Sequence, residues 1–158
     1  RSAEMHYDCM SVDEMKALPV AELAAKDCVL FFWVTDPHLE IGLDIIKAWG
    51  FEYKPVGFYW AKLNRTTDTS KPDRAFFMGG GYWTRANPEM CLLATRGSPK
   101  RINKGVRRLI VAPRREHSRK PDEAYDRMRR LVAGPAVEIF ARTNRPGWDS
   151  FGNEVEKF

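Results

Sequence analysis

Cys28-Val-Leu-Phe-Phe-Trp-Val34 is the longest apolar run in the chain, and the fold follows from it. The run is rich in aromatic and β-branched residues, which predicts a strand covered on both faces, as in a parallel sheet. Pro37 then opens a helix that Gly50 ends. Residues 51–61 predict the next strand, and the short connections indicate a right-handed β-α-β unit. The apolar positions of the helix recur at helical spacing: Leu39, Gly42, Leu43, Ile46 and Trp49.

Strands and helices continue to alternate along the rest of the chain. The predicted strands are residues 90–95, 108–112 and 137–141, the last of them buried. An amphipathic helix follows Pro121 and ends at Gly134. The predicted fold class is therefore α/β with a mostly parallel sheet.

Two segments between these elements carry local signals. Ser11-Val-Asp-Glu14 fits a capping box, in which the serine hydroxyl and the glutamate side chain satisfy backbone amides reciprocally, so a short helix should follow. Residues 63–81 are polar and weakly periodic, and they include the glycine triplet at 79–81. A loop of this length inside a compact domain is usually functional or disordered.

Length and composition indicate one soluble domain. The chain has 158 residues, of which 44% are hydrophobic and 30% charged, and this mixture excludes disorder for most of it. No apolar run approaches the about 20 residues of a membrane span. Cys9, Cys28 and Cys91 are odd in number and lack metal-ligand spacing, which favours reduced thiols in a reducing compartment. The three histidines, His6, His38 and His117, are too scattered to predict a metal triad.

Positive charge is concentrated in the second half of the chain. Residues 1–79 carry 9 Lys and Arg against 12 Asp and Glu, whereas residues 80–158 carry 17 against 9. Between Arg96 and Lys120 a single acid, Glu116, faces eight basic residues: Lys100, Arg101, Lys104, Arg107, Arg108, Arg114, Arg115 and Arg119. Such a run is either a solvated face or the electrostatic footprint of a polyanion site.

Lys120 is a candidate anion ligand because of its place in the predicted fold. Ligands of doubly wound sheets lie beyond the carboxyl ends of the strands. Lys120 stands directly before a helix, where the helix dipole disfavours a cation, so an anion bound between Lys120 and the helix amides would explain it. The alternative is a solvated cap in which Asp122 and Glu123 satisfy the dipole.

Two further segments are candidate sites. In residues 142–154, Gly147 and Gly152 permit tight turns, and Asn153 and Glu154 could hold vicinal hydroxyls, although an ordinary surface turn is equally compatible. Residues 76–85 join aromatic side chains to glycines and an arginine, which suits stacking on a nucleobase, whereas aromatic clusters are more often core. The sequence contains neither a G-x-G-x-x-G nor a P-loop motif.

Ten collinear motifs connect the chain with a known family. They are Met5-His-Tyr-Asp-Cys-Met-Ser-Val-Asp-Glu14, Leu30-Phe-Phe-Trp-Val-Thr35, Ala48-Trp-Gly-Phe51, Gly57-Phe-Tyr-Trp-Ala-Lys62, Tyr82-Trp-Thr-Arg85, Cys91-Leu-Leu-Ala-Thr-Arg-Gly97, His117-Ser-Arg-Lys-Pro-Asp-Glu123, Glu138-Ile-Phe-Ala-Arg142, Gly147-Trp-Asp149 and Gly152-Asn-Glu154. In this order they resemble the MT-A70 family of adenine methyltransferases, and the bacterial and phage DNA-type members more closely than the eukaryotic ones. The resemblance covers essentially the whole chain.

The resemblance implies a Rossmann-like methyltransferase fold, circularly permuted so that the catalytic strand comes first and the cofactor loop last. It implies methyl transfer from S-adenosylmethionine to the exocyclic 6-amino group of adenine in DNA, with the base extruded from the helix. Lys120 would then pair with the methionine carboxylate of the cofactor. The other implied cofactor-binding residues are Arg142, Asn144, Asn153 and Glu154, and the implied substrate-binding residues are Tyr7, Tyr82, Trp83 and Arg85.

The chain departs from the family at one position of consequence. The catalytic signature Asp-Pro-Pro-Trp is absent from residues 1–158, and Asp36-Pro37-His38 follows a different strand. We expect residues 1–158 to form a single methyltransferase domain whose N-terminal strand and catalytic loop lie upstream of Arg1. The alternatives are a catalytically silent nucleic-acid-binding subunit and the same chemistry on RNA. We also expect a cytoplasmic location in a bacterial or phage-infected cell, no membrane partner, and either a homo-oligomer or a hetero-oligomer.

Overall fold

A four-stranded sheet forms the centre of the protein. The computed structural model describes residues 10–66, 70–71, 74–116 and 119–152. The strands are β1 (Cys28–Val34), β2 (Glu52–Leu63), β3 (Glu89–Arg96) and β4 (Leu109–Pro113), in the spatial order β1-β3-β2-β4. Two short strands, β5 (Val137–Ile139) and β6 (Asp149–Phe151), pair in parallel as a separate sheet.

Four short helices accompany these strands in the described part of the chain: α1 (Val12–Lys16), α2 (Val20–Leu23), α3 (Leu39–Ala48) and α4 (Asp122–Leu131). The capping box is confirmed, because the Glu14 amide donates to Ser11 Oγ and the Ser11 amide to Glu14 Oε2, both at 3.1 Å. The helix after Pro37 is also confirmed; it begins with a 3-10 turn at Asp36–His38, and Gly50 follows it with φ +84°. No helix among the described residues has the length and apolarity needed to cross a bilayer.

The sheet is mixed, which corrects part of the expectation. In this four-stranded sheet of the described residues, β3 runs antiparallel to both β1 and β2, and β2 and β4 are the parallel neighbours. The prediction of a mostly parallel sheet is correct for the direction of β1, β2 and β4 but wrong for the pairing, since β3 lies between β1 and β2. The described residues between β2 and β3 form no α-helix, and the chain returns antiparallel to β2.

Helices cover both faces of the sheet and create two cores. Because successive strand residues point to opposite faces, Leu92 in β3 packs on the α3 side whereas its neighbour Cys91 packs on the α4 side. The α3 core contains Ile45, Ile46 and Trp49, and the α4 core contains Ala124 and Met128. The predicted α/β class is therefore confirmed.

The apolar segments at residues 28–34 and 137–141 are less buried than the sequence predicts. β1 is covered on both faces, with Phe31 stacked on Phe58 at 5.9 Å and Phe32 edge-on to Trp49 at 5.7 Å. It nevertheless lies at the edge of the described sheet, so most of its side chains are only half-buried. The expected buried strand at residues 137–141 is wrong, because β5 ends at residue 139 and Val137 is 42% exposed. The φ of +63° at Phe140 breaks the strand.

We predict that Leu92→Ala lowers the free energy of unfolding by about 2–5 kcal/mol, because Leu92 is fully buried in the central strand and leaves a cavity. Leu109→Ala is the matched control, since Leu109 is 58% exposed on β4 and its truncation should cost under about 1 kcal/mol. Urea unfolding followed by circular dichroism measures both. Equal losses for the two variants would contradict the assignment of the core.

Candidate active site at the carboxyl edge of the sheet

Four charged residues gather at one edge of the sheet because of its topology. β1, β2 and β4 all end at this edge, and the antiparallel β3 begins there. Asp36 follows β1, Lys62 lies near the end of β2, Glu89 starts β3 and Arg114 follows β4. This is the edge at which sheets of this kind bind ligands, as the sequence predicts.

A buried carboxylate shared by two lysines lies at the centre of this edge. Glu89 is only 6% exposed. Its Oε1 accepts from Lys62 Nζ at 3.3 Å, and its Oε2 accepts from Lys120 Nζ. The two ammonium groups also lie over aromatic rings, Lys62 at 5.1 Å from the centre of Trp60 and Lys120 at 5.3 Å from that of Trp33. The cluster, which we call the Glu89 cluster, carries a formal net positive charge.

The Glu89 cluster gives Lys120 a counter-ion that sequence reasoning missed. Lys120 lies two residues before α4, as expected. The sequence around it does not indicate which carboxylate it contacts. Glu89 comes from 31 positions earlier in the chain. The sequence signal that indicates such a contact is Glu89 itself, a single acid at the start of an apolar strand. A buried carboxylate needs a cation close to it. An anionic ligand of Lys120 would share the ammonium with Glu89, and that role remains a prediction.

The first turn of α4 is held by arginines. Arg115 donates both terminal nitrogens to the Asp122 carboxylate at 3.0 Å, and Arg145 donates to Oδ1 at 2.9 Å. The hydrogen bond from Arg115 is the main reason that the pKa of Asp122 falls to about 2. Glu123 accepts from Arg127 at 2.6 Å. Asp122 and Glu123 in the first turn of α4 thus complement the helix dipole, as the alternative of a solvated cap predicts. The Glu89 cluster is a separate feature.

Arg145 brings the C-terminal segment to the same region. Besides its bond to Asp122, the Arg145 guanidinium lies 3.6 Å from the centre of the Tyr125 ring. The predicted cofactor residues Arg142 and Asn144 precede it in the chain, the first half-buried and the second exposed. Asp122 is only two residues from Lys120, so the segment at 142–148 approaches the Glu89 cluster. The predicted residues Asn153 and Glu154 lie outside the described residues.

A donor and an acceptor are buried without hydrogen bonds beside this segment. In the described part of the chain, Arg145 Nε and Glu138 Oε2 have no hydrogen-bond partner and lie 3.9 Å apart. The other Glu138 oxygen accepts from the Tyr125 hydroxyl at 2.5 Å. Burial, followed by the carboxylate of Glu138, raises the pKa of Tyr125, so that hydroxyl remains a donor. Because both atoms are buried and face each other, they form a long ion pair rather than a hydrogen bond.

An open cleft of about 210 Å³ adjoins the Glu89 cluster. Its lining comes from the turn after β1, the end of β2, the segment that leads into β3 and residues 79–86, which we call the glycine loop. The lining residues are Thr35, Asp36, Pro37, Lys62, Phe77, Gly79, Gly80, Ala86, Asn87, Pro88 and Glu89. The predicted substrate residues Tyr82, Trp83 and Arg85 are exposed on the same glycine loop. Tyr7 lies outside the described residues. The structure therefore brings the described substrate-side residues and Lys120 to one edge.

Asn87 fixes the wall of the cleft, and sequence reasoning gave no signal for it. Its side-chain oxygen accepts from the Lys62 amide, and its nitrogen donates to the Lys62 carbonyl, both at 2.9 Å. The same nitrogen donates to the Phe77 carbonyl. The amide thus acts as an extra residue of the strand ladder and ties the glycine loop to β2.

The described His, Cys, Asp and Glu side chains form no group of three that could hold a metal ion. Cys91, which borders the Glu89 cluster, is fully buried, and burial raises the pKa of its thiol. Cys28 is also a free thiol, and Cys9 lies outside the described residues. Cys91 is therefore a residue of the α4 core.

These observations define the class of protein. It is an α/β domain with a mixed sheet, whose carboxyl edge carries a cationic cluster beside an aromatic loop. The MT-A70 family model matches residues 1–154, and the chain belongs to that family.

Known relatives agree with the family but are longer than this chain. An N(6)-adenosine-methyltransferase MT-A70-like protein of Drosophila melanogaster is 36% identical over 97% of this chain and 25% of its own length. The type II methyltransferase M.MunI of Mycoplasma sp is 32% identical over 98% of this chain and 62% of its own length. The human N(6)-adenosine-methyltransferase catalytic subunit METTL3 is 32% identical over 97% of this chain and 26% of its own length. The chain thus spans between a quarter and two thirds of these relatives.

We predict that Glu89→Gln lowers the free energy of unfolding by about 2–4 kcal/mol, because two partly buried ammonium groups lose their common charged partner. Glu52→Gln is the matched control. Glu52 pairs with Lys54 at 3.1 Å on the surface, and such a pair contributes under about 1 kcal/mol. Thermal and urea unfolding at neutral pH measure both variants, and a Glu89→Gln protein as stable as Glu52→Gln would show that the cluster does not stabilise the fold.

Proposed function

We propose that the protein transfers a methyl group from S-adenosylmethionine to the exocyclic 6-amino group of adenine in DNA. The observation that carries the proposal is the meeting of the Glu89 cluster and the glycine loop at one sheet edge. The cluster offers a cation to the carboxylate of the cofactor, and the loop offers exposed aromatic rings to a base. Membership in the MT-A70 family supports the adenine target.

The described residues fit the proposed cofactor. S-adenosylmethionine, when bound, supplies the activated methyl group. Lys120 would hold its carboxylate, with Glu89 keeping the ammonium in place before the ligand arrives. Arg142 and Asn144 would hold the ribose and adenine of the cofactor. Their neighbour Arg145 ties this segment to the start of α4 through its hydrogen bond to Asp122.

The fold supports a permuted methyltransferase order as part of the same proposal. The cofactor segment at 142–154 would come last in the chain, after the strands that carry the substrate side. The acidic group that binds the target amine would come from an Asp-Pro-Pro-Trp motif upstream of Arg1. Asp36, although it lines the cleft, follows a different strand.

DNA is the proposed substrate, and RNA is the second candidate. The motifs resemble the bacterial and phage DNA-type members of the family more closely than the eukaryotic ones, which favours DNA. Of the three relatives described above, the type II methyltransferase M.MunI is covered to the greatest share, 62%. The Drosophila and human relatives are named adenosine methyltransferases, which keeps RNA open. Basic residues do not distinguish the two, because phosphate contacts carry little information about sequence or sugar.

Lys120→Ala should weaken S-adenosylmethionine binding by about 1.5–3 kcal/mol, since a charged hydrogen bond to the cofactor carboxylate is lost. Isothermal titration calorimetry with the full-length protein measures the change. Lys54→Ala is the matched control, because Lys54 pairs with an exposed glutamate far from the edge. Unchanged cofactor affinity in the Lys120→Ala protein would remove Lys120 from the site.

Transfer of a tritiated methyl group tests the proposed reaction directly. The full-length protein is incubated with labelled S-adenosylmethionine and either unmethylated bacterial genomic DNA or total RNA, and the nucleic acid is digested to nucleosides. We expect the label in N6-methyladenine from DNA. Label in RNA alone would favour the second candidate. Binding of cofactor and DNA without any labelled adenine would instead identify a catalytically silent binding subunit.

A further inference from the structure

The glycine loop presents its two aromatic side chains on a closed backbone. The Gly79 amide donates to the Ala86 carbonyl at 2.7 Å, and the Ala86 amide donates to the Gly80 carbonyl at 2.8 Å. Gly81 makes the turn with φ +146°, and an added Cβ there would lie 1.9 Å from the Thr84 carbonyl oxygen. Asn87 ties the base of this loop to β2. The loop is therefore a fixed support.

Tyr82 and Trp83 stand at the tip of this support and are almost wholly exposed. Their exposed fractions are 92% and 91%, the highest among the large apolar side chains of the described residues. The two rings contact each other edge-to-face, with centroids 5.3 Å apart. They do not cover the cleft, because the residues that line it from the loop are Gly79, Gly80 and Ala86. The two rings are therefore available for contact with a molecule outside the domain.

The surroundings of the tip suit a polyanion. Arg85 is exposed at the base of the loop, and the Arg114 guanidinium lies 3.6 Å from the centre of the Phe77 ring, two residues before the loop begins. Lys62, inside the cleft, belongs to the positively charged Glu89 cluster. Asp36 is the acidic residue among the exposed cleft groups. A phosphate backbone close to the aromatic tip would meet the exposed Arg85.

We propose that Trp83, supported by Tyr82, is a wedge that enters duplex DNA and fills the space left by the extruded adenine. This inference rests on the proposed function and adds to it a cause for base extrusion. Apolar side chains inserted between base steps unstack them, and stacking on the intruding ring offsets the lost base stacking. A wedge requires a stiff support and a side chain free of the protein, and the glycine loop provides both.

A wedge differs measurably from a residue that only holds the extruded adenine. A wedge is needed for paired DNA, because its work is to separate the base from its stack. A single-stranded substrate needs no separation. Loss of the wedge should therefore reduce methylation of duplex DNA much more than methylation of the same sequence as a single strand.

The test compares the full-length wild-type protein with Trp83→Ala on a circular single-stranded phage DNA and on its double-stranded replicative form. Labelled methyl transfer to adenine is followed on both. We expect a loss of about tenfold on the duplex and under about threefold on the single strand, with Trp83→Phe keeping most of the duplex activity. The control is Tyr53→Ala, which removes a 41% exposed aromatic ring near the opposite end of β2, about 30 Å from Lys62 along the strand.

A second readout needs no methyl transfer. Replicative-form DNA is copied with 2-aminopurine in place of part of its adenine, and its fluorescence rises when a base leaves the stack. The wild-type protein should raise the signal and Trp83→Ala should not, at protein concentrations where filter retention shows equal DNA binding. If single-stranded DNA is not a substrate, this fluorescence readout tests the wedge on its own.

The outcomes separate the two proposals. Equal losses on duplex and single strand, or no loss on either, would overturn the wedge, and a change of oligomeric state in Trp83→Ala would point to a protein partner at the loop instead. A wild-type protein that raises the fluorescence but labels no adenine would refute the proposed reaction while supporting the wedge. Equal fluorescence increases for wild type and Trp83→Ala would refute the wedge alone.

Discussion

The buried carboxylate of Glu89 is the constraint on which the functional edge depends. A charge with 6% exposure is stable only with close partners, and here those partners come from two different elements, Lys62 from β2 and Lys120 from the segment before α4. One residue at the start of β3 therefore fixes the position of both neighbours. The ammonium group of Lys120, the proposed ligand of an anion, is thus held in place by the fold itself.

Asp122, in the first turn of α4, brings cations together in the same way. Asp122 gathers Arg115 and Arg145, and Arg145 packs on Tyr125, so the C-terminal segment is attached to the helix by charge and by ring contact. The two acids act as centres around which cations from distant parts of the chain meet. This explains how a strongly basic second half folds compactly: its arginines and lysines at the edge are shared among a few carboxylates, and the positive excess remains on the surface.

The elements that the sequence predicted well are those whose signals are local. The capping box at Ser11 and the helix between Pro37 and Gly50 depend on neighbours in the chain, and both are confirmed. The position of β3 between β1 and β2 is a contact between distant parts of the chain, which the apolar patterns of the strands do not indicate. In the site, the position of Lys120 could be predicted from the start of α4. Its partner Glu89 could not, because a contact between residues 31 positions apart is decided by register between strands and not by local pattern.

Asn87 has a consequence for the chemical durability of the protein. Its side-chain amide is the peptide-like bridge between Lys62 and Phe77, and conversion to aspartate would remove the donor and place a negative charge against carbonyl oxygens. Asparagines convert through a cyclic imide that forms when the next backbone nitrogen attacks the side chain. The next residue is Pro88, whose nitrogen carries no hydrogen and cannot form that ring. The proline that leads into β3 thus protects Asn87 against deamidation by this route.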